Sequence, residues 1–529
     1  MEKRLIAVVL LITVMITGCT RQERKHLVPE DEVFYHVFLR SFYDSNGDGH
    51  GDLNGLRMKL DYLQDLGVTT VLITPLYHSP FYHNYFAEDF YRIDPEYGTE
   101  ADLLALIDDM HRRRMKLIMD MEIHYVTNLH EWFRDSYGNP SSPYSRYIIY
   151  NDSANTDPEP IIWDLDTVDG WGVKQVSLWS LDLYTKEMAD YMHGLFRHWV
   201  DPDGDGDPGD GIDGFRIDHM MDNMDWKNIR TGLLQRFWKP LFAELRALNP
   251  RLIIAGEQAE WNYGEIYLGE GLADLVFAIP LCAAINTFDR NTIRAVADTT
   301  CSFMKPGKSA LVFIENHDMD RFAGTMNSDP AKLRAGAALN ILLKGVPLIY
   351  YGQELGMKGR KDTSIPHDAG DIPRREAFEW YRTIEGPGMA LWYHDGGPWW
   401  KNTNLKDNDG ISVEEQADMY SLRTYYKNLI ALRKVNDAIR SGSQHFLNND
   451  RKEMLTFIRE NQHQKVLILI NLGNETGAVT VDLKDDDDAA GVIDAQLLFG
   501  QDHPYPPLFG ENRAHLTAAP YDVQVWRLY

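Results

Sequence analysis

The sequence predicts an α/β protein built on a (β/α)8 barrel, with a small excursion domain after the third strand and a C-terminal all-β sandwich. Three observations carry this prediction. Short apolar, β-branched runs alternate with helix-length amphipathic segments, and these runs number eight. Beyond residue 440, short strands follow one another without helices between them. The 529 residues suffice for one large domain and one or two smaller ones.

The eight barrel strands are predicted first, because each is a short apolar run bounded by polar residues. They occupy residues 33–38, 70–74, 116–121, 214–217, 252–256, 275–277, 310–314 and 348–351. Amphipathic segments predict helices at residues 53–66, 102–113, 186–199, 226–248, 332–343 and 420–433. The barrel is therefore assigned to residues 29–123 and 185–440.

Two further regions are predicted from breaks in this pattern. Residues 124–184 separate the third strand from its helix, are rich in Pro, Asn, Asp and Tyr, and are too long for a simple connection, so they predict an excursion domain. Residues 441–529 predict the β-sandwich, since turn residues separate its strands. Those strands are predicted at residues 454–458, 465–471, 478–483, 492–499 and 522–528.

The first residues predict export. A basic start precedes an apolar run over residues 5–16, which is too short for a stable membrane span. The run leads to Ile-Thr-Gly-Cys19, which resembles the signal of bacterial lipoproteins, whose cysteine is acylated. We expect a signal peptide over residues 1–18, a lipid anchor on Cys19 and a tether over residues 19–28, with an ordinary cleaved signal as the alternative. Because Thr20 follows the cysteine, the outer membrane is the expected address.

Composition and charge exclude several classes of protein. Hydrophobic residues make up 44% and charged residues 25%, which are globular values that exclude disordered and fibrous chains. The formal net charge of −26 repels phosphate backbones, so nucleic acid is not an expected partner. We expect contact with a membrane only through the N-terminal anchor. The charge is compatible with a neutral substrate.

Carboxylates follow three of the predicted strands. The fourth strand ends with Arg216 and Asp218, the fifth with Glu257, and the seventh is followed by His317 and Asp318. The carboxyl ends of barrel strands meet at one rim, so these groups are expected to converge. Crowded carboxylates separate into a protonated acid and an ionised nucleophile, which is what retaining glycoside hydrolysis requires. The alternative is a set of salt bridges that ties the rim together.

These segments resemble the motifs of glycoside hydrolase family 13, the α-amylase family, in the same order and over nearly the whole chain after the signal. The resemblance implies a covalent intermediate on Asp218, with Arg216 keeping this nucleophile ionised. It implies that Glu257 is the proton donor. It also implies that Asp318, beside His317, grips sugar hydroxyls and stabilises the transition state. Residues 345–354 match the eighth-strand pattern of the family.

The loop after the second strand adds a substrate contact to this resemblance. The segment from Tyr82 to Tyr85 resembles the amylase element whose last tyrosine stacks under the cleaved sugar. Exo-acting α-glucosidases of the family usually carry Asp where this chain has Tyr82, so its absence favours an endo-type cleft. The resemblance thus assigns substrate binding to Tyr85, Tyr125, Arg216 and His317.

The third-strand motif departs from the family pattern. The family has Asp-x-x-x-Asn-His, whereas this chain has Asp120-Met-Glu-Ile-His124-Tyr125. In the family, the Asn helps to bind the main calcium ion and the His contacts the sugar. After the nucleophile, Met221-Asp222 replaces the usual Lys-His pair. We therefore expect the usual calcium site between barrel and excursion domain to be absent or rebuilt, and Tyr125 to donate a single hydrogen bond to the sugar.

A calcium loop is predicted elsewhere, directly after the first strand, with a plain Asp/Gly turn as the alternative. Oxygens stand at positions 1, 3, 5 and 9 of the loop and a glycine at position 6, in the order used by calcium loops. The predicted ligands are Asp44, Asn46, Asp48, His50 through its backbone carbonyl, and Asp52. Gly55 replaces the bidentate Glu at position 12, so a helix-loop-helix motif is excluded. A second run with similar alternation, residues 201–207, continues into Pro-Gly and predicts a solvated loop.

The leading prediction is an exported lipoprotein that hydrolyses α-1,4-glucosidic bonds in starch-like polymers or maltooligosaccharides, with Ca²⁺ as its cofactor. One alternative is an α-glucan transglycosylase, in which a sugar hydroxyl instead of water reaches the covalent intermediate. An alternative of another class is a non-catalytic, amylase-like glucan-binding protein. Such relatives have usually lost catalytic acids, whereas Asp218, Glu257 and Asp318 are all present here.

Overall fold

The computed structural model describes residues 29–365, 367–394, 403–483, 492, 494–500 and 507–529. The predicted signal peptide, the tether and Cys19 lie outside these residues. None of the helices described is both long and apolar enough to cross a membrane.

The predicted barrel is confirmed. The strands of its half of the chain are β1 Phe34–Val37, β2 Thr70–Ile73, β3 Tyr77–His78, β4 Asp89–Ile93, β5 Lys116–Met121, β6 Tyr125–Thr127, β7 Thr167–Gly170, β8 Val173–Ser180, β9 Gly214–Met220, β10 Ile253–Gln258, β11 Leu275–Phe277, β12 Ser309–Val312 and β13 Val346–Tyr350. Eight of them close in the order β1-β2-β5-β9-β10-β11-β12-β13, and β13 pairs with β1. Every pairing within the barrel is parallel.

The helices are α1 Leu53–Met58, α2 Leu60–Leu66, α3 Glu100–Arg112, α4 Glu131–Ser136, α5 Lys186–Val200, α6 Lys239–Leu248, α7 Ile279–Asn286, α8 Arg290–Phe303, α9 Phe322–Thr325, α10 Pro330–Leu342, α11 Leu422–Val435 and α12 Asp437–Ser441. The helix predicted at residues 226–248 is confirmed from Leu234 onwards, where a π-helix over Leu234–Trp238 runs directly into α6, and is wrong only for residues 226–233. Asp225, Trp226 and Asn228 have φ values of 51°, 58° and 61°, which an α-helix does not accommodate. The sequence prediction also missed α7 and α8.

The barrel interior explains where polar residues collect. Apolar side chains such as Phe34, Leu72, Ile118 and Leu275 form one buried cluster contributed by the barrel strands. Side chains alternate along a strand, so the residue two positions after Ile118, Asp120, also faces the interior. The polar residues therefore begin where the apolar filling of the barrel ends, at the carboxyl ends of the strands.

Two smaller regions complete the fold. The short sheet β6-β8-β7 lies between β5 and α5, within the stretch predicted as an excursion. The C-terminal strands are β14 Ser443–Phe446, β15 Met454–Glu460, β16 Lys465–Asn471, β17 Gly477–Asp482, β18 Ala495–Phe499, β19 Leu508–Gly510, β20 Arg513–Ala518 and β21 Val523–Leu528. They form the sheets β14-β15-β16-β21-β18 and β17-β20-β19, which share one apolar core, so the predicted sandwich is confirmed. The domain boundaries stay a prediction.

Candidate active site

The catalytic candidates lie where three neighbouring barrel strands end. Asp120 belongs to β5, Arg216 and Asp218 belong to β9, and Glu257 belongs to β10. The strand register places Asp120 directly beside Arg216. Since Arg216 and Asp218 are two residues apart, both point into the barrel. All four side chains are buried.

Arg216 contacts all three carboxylates. Its Nη1 donates hydrogen bonds to both oxygens of Asp120 at 2.8 Å and a further one to Asp218. Its Nη2 lies 2.7 Å from Oε2 of Glu257. Charge-assisted bonds of this kind fix the orientation of each partner. The nucleophile and the acid predicted from sequence are therefore held on the two arms of one guanidinium group.

Sequence reasoning missed two members of this cluster. Glu122 is buried, and one of its carboxylate oxygens lies within 4.8 Å of an oxygen of Asp218. It follows Asp120 by two residues, so strand alternation was an available signal. The backbone N–H of His219 donates to Glu257 at 3.3 Å. His219 has a φ of 44°, a left-handed conformation that no sequence pattern announced.

Burial moves the pKa values of these carboxyl groups upwards, towards neutrality. Burial raises the pKa of Glu257 to about 7 and that of Glu122 to about 7. Burial also raises the pKa of Asp218, which the positive charges of Arg216 and His219 oppose. Burial alone would lower the pKa of His219, but the surrounding carboxylates raise it to about 9, so this imidazole is protonated at neutral pH. The cluster therefore holds exchangeable protons near neutrality.

Asp318 faces the cleft from the opposite side. It follows β12, and its side chain is 34% exposed. Nη2 of Arg375 donates to Oδ1 of Asp318 at 3.0 Å, and Nε2 of His317 lies 3.0 Å from Oδ2. Arg375 comes from the long segment after β13 and carries no spacing signal in the sequence. Its contact leaves Asp318 oriented and partly open to a ligand.

Tyr85 joins the two sides of the site. Its hydroxyl donates to Oδ2 of Asp120 at 2.7 Å and lies 2.8 Å from Nε2 of His317. Its ring stacks on that of His317, with centroids 5.4 Å apart and an interplanar angle of 12°. The predicted residues Tyr85, Arg216, His317 and the three acids are thus brought together.

Tyr125 lies beside this group with its hydroxyl engaged elsewhere. The side chain is 2% exposed and donates a hydrogen bond to Asp225. The neighbouring His124 is also buried, with Nδ1 3.2 Å from Oε1 of Glu122. Both departures from the family motif therefore make internal contacts. Sugar binding by Tyr125 stays a prediction.

The predicted calcium loop follows β1 and so lies at the same rim. Asp44 and Asp52 are 7% and 4% exposed, and neither forms an ion pair within the described part of the chain. Asp44 accepts three backbone N–H groups of its own loop, from Asn46, Gly47 and Gly49, at 2.7–3.0 Å. Buried carboxylates without a counter-charge, beside an amide oxygen, are donors that fit a hard cation such as Ca²⁺.

Comparison with known proteins identifies the family. The model described as "Alpha amylase, catalytic domain" matches residues 36–442. This chain belongs to the α-amylase family. Alpha-amylase 3 of Dictyoglomus thermophilum is 28% identical over 460 residues, which cover 84% of this chain and 85% of that protein. A 4-alpha-glucanotransferase of Thermotoga maritima is 28% identical over 460 residues, covering 83% of this chain and 96% of its own length.

A solved structure agrees with this assignment. The α-amylase from H. orenii has a TM-score of 0.74 and 25% identity, and the match covers 94% of this chain and 99% of that chain. This α-amylase-family chain is therefore an enzyme of the glycoside hydrolase type, with hydrolase or transglycosylase activity on α-glucans.

Proposed function

We propose that the protein is a retaining hydrolase of α-1,4-glucosidic bonds in starch-like α-glucans or maltooligosaccharides. The observation that carries this proposal is the single guanidinium of Arg216, which contacts both Asp218 and Glu257. Such an arrangement fits the separation of about 5–5.5 Å between the carboxyl groups of retaining enzymes. The pKa of Glu257, raised to about 7, suits a general acid at neutral pH.

In the first step, a carboxylate oxygen of Asp218 forms a bond to the anomeric carbon while the glycosidic C–O bond breaks. The proton of Glu257 passes to the leaving oxygen. Arg216 and His219 favour the ionised form of Asp218 that attacks. In the second step, the Glu257 carboxylate takes a proton from water, whose oxygen attacks the anomeric carbon and releases Asp218.

Asp318 supports both steps from the other side of the sugar. Its carboxylate, oriented by Arg375 and His317, is placed to accept hydrogen bonds from sugar hydroxyls. Such bonds accelerate the reaction to the extent that they strengthen in the transition state. The ring of Tyr85 lies between His317 and Asp120, stacked on the first and hydrogen-bonded to the second.

Endo-type action is the part of the proposal that rests on Tyr82. Its side chain is buried, accepts a hydrogen bond from Arg375 at 2.7 Å and donates one to the carbonyl of Asp368 at 3.0 Å. The Tyr82 hydroxyl is neutral and already hydrogen-bonded. It occupies the position at which an exo-acting relative would have a carboxylate facing the end of the sugar chain. This supports an open cleft that accepts internal bonds.

We also propose that Ca²⁺ binds the loop of Asp44, Asn46, Asp48, His50 and Asp52, as a stabilising ion held by none of the catalytic candidates. Between the barrel and the excursion, the ammonium group of Lys227 supplies the positive charge that the calcium ion would otherwise supply. Nζ of Lys227 lies 2.8 Å from Oε1 of Glu159, 2.8 Å from the carbonyl of Pro160 and 3.0 Å from Oδ1 of Asp164. This arrangement supports the absence of the family's usual calcium ion there.

Export and lipid anchoring through Cys19 are proposed from the sequence alone. Replacing Cys19 by Ala should move the protein from the membrane fraction to the soluble fraction of a bacterial host. Mass spectrometry of the wild-type N-terminus should show an acylated cysteine. An unmodified or uncleaved N-terminus on protein from the membrane fraction would argue against the anchor.

The substrate experiment uses maltoheptaose and the purified protein, with products followed by chromatography and the first anomer by proton NMR. Shorter sugars alone, released first as the α-anomer, are expected. Longer sugars beside them would favour the transglycosylase, the alternative that the relationship to a glucanotransferase supports. An initial β-anomer would exclude retention, and no turnover at high enzyme concentration would leave the glucan-binding alternative. On a starch polymer, early loss of viscosity before small sugars accumulate is expected of endo-type action.

A further inference from the structure

A second acidic loop lies at the other end of the barrel. Residues 201–210, here called the Asp201 loop, connect α5 to β9 and carry five aspartates with no basic residue. Its two ends are tied together, since the N–H of Ile212 donates to the carbonyl of Trp199 at 3.0 Å. A Cβ atom on Gly211 would lie 1.9 Å from the carbonyl oxygen of Val200, so only glycine permits this closure. The loop is therefore a compact ring at the amino end of β9.

Three of its carboxylates converge. Asp201, Asp203 and Asp210 each place a carboxylate oxygen within 4.8 Å of the other two. Asp201 is 3% exposed, and its Oδ1 is shielded from solvent and accepts no hydrogen bond. Oδ1 of the half-buried Asp210 is in the same condition. Within the described residues, none of the three forms an ion pair.

Buried carboxylate oxygens without partners are rare because their desolvation is not repaid. Like charges held this close also repel one another. The negative charge of the Asp201 loop is therefore not neutralised by any basic side chain in the described part of the chain.

We propose that the Asp201 loop binds a Ca²⁺ ion through Asp201, Asp203 and Asp210. Oxygen ligands of Ca²⁺ lie 2.3–2.6 Å from the ion, so ligands of one ion lie within about 5 Å of each other. The observed convergence satisfies this limit. Mg²⁺ requires ligands at about 2.0–2.1 Å in an octahedral arrangement, which three convergent carboxylates on one loop suit less well. The exposed Asp203 leaves one side of the ion open to water.

The position of the loop determines what the ion does. In barrels of this type the amino ends of the strands form the face that contributes stability, opposite the catalytic rim. An ion here links the end of α5 to the start of β9, the strand that carries Asp218. It is expected to stabilise the fold without contacting substrate. This separates it from the loop of Asp44, which lies at the rim.

The test compares matched acid-to-amide variants of the chelator-treated protein by calorimetric titration with CaCl2. Asp203→Asn removes a ligand from an exposed position where it does not disturb packing. Asp207→Asn is the control, since Asp207 lies in the same loop outside the convergent group and its Oδ1 accepts only the N–H of Gly209. Asp44→Asn removes the rim loop, so the remaining binding reports the Asp201 loop. Thermal unfolding with and without CaCl2 is measured on each variant.

In the Asp44→Asn background, one Ca²⁺ is expected per chain. Adding Asp203→Asn should weaken its affinity at least tenfold and remove the calcium-dependent rise in melting temperature, whereas adding Asp207→Asn should change affinity less than twofold. Turnover of maltoheptaose by the Asp203→Asn protein in excess calcium should equal that of the wild type. The proposal is overturned if the Asp44→Asn protein binds no calcium, or if Asp203→Asn and Asp207→Asn weaken binding equally.

Discussion

The two ends of the barrel crowd carboxylates in different ways. At the rim, Asp120, Asp218 and Glu257 surround Arg216, and a protonated His219 adds a second positive charge. In the Asp201 loop, acids converge with no basic side chain among them. Where protons must move during a reaction, the chain supplies its own cations and keeps titratable groups near neutrality. Where a loop only stabilises the fold, its negative charge is neutralised by a cation from solution.

The largest expected effect breaks the chemistry at the rim. Asp218→Asn should lower kcat by at least about 10⁴-fold, because an amide is too weak a nucleophile to form the glycosyl intermediate. Circular dichroism should show an intact fold. Asp61→Asn, the same change on an exposed helix residue, should leave kcat unaltered. An Asp218→Asn enzyme that retains a tenth of wild-type activity would remove Asp218 as the nucleophile.

The second effect tests the internal balance of charge. Arg216→Met should lower the free energy of unfolding by about 3–5 kcal/mol, since it strands buried carboxylates. Denaturant unfolding measures this, and the loss should shrink at lower pH as those carboxylates take up protons. Arg112→Met, which removes an exposed partner of Asp108, should cost less than about 1 kcal/mol. Equal losses in the two variants would show that Arg216 does not neutralise the buried carboxylates.

The third effect is the stabilisation of the fold by calcium. Adding Ca²⁺ at about 100 times its Kd should raise the free energy of unfolding by about 2.7 kcal/mol per bound ion. The pH profile of activity should keep its shape, because neither calcium loop contributes a residue to the titrating cluster. A chelator that leaves the melting temperature unchanged would remove both loops as structural sites.

The smallest effect concerns Glu122. Its carboxyl group raises the pKa of Asp218, which must be ionised to attack, so Glu122→Gln should lower that pKa. The acid limb of the kcat/KM profile should therefore move to lower pH. The alkaline limb, where Glu257 loses its proton as the pH rises through about 7, should stay in place. An unmoved acid limb would show that Glu122 does not tune the nucleophile.

Most of the fold, and the position of the candidate catalytic acids at the ends of strands, could be predicted from the sequence, and the failures have physical causes. Strands were predictable because their apolar runs are continuous, and Asp218, Glu257 and Asp318 because they follow those strands. Arg375 was not predictable, since it reaches Asp318 from a segment without periodicity. His219 was not predictable either. Strand alternation would point its side chain away from the site, but its left-handed backbone conformation changes that direction. The predicted helix over residues 226–248 begins late, because Asp225, Trp226 and Asn228 adopt positive φ.

Lys227 has a consequence for the conditions under which the enzyme works. A bound metal ion leaves when its concentration falls, but an ammonium group attached to the backbone is always present at the same stoichiometry. The contacts of Lys227 to Glu159 and Pro160 therefore join barrel and excursion independently of the mineral content of the medium. This connection between the two regions would therefore persist when a chelator strips calcium from the protein.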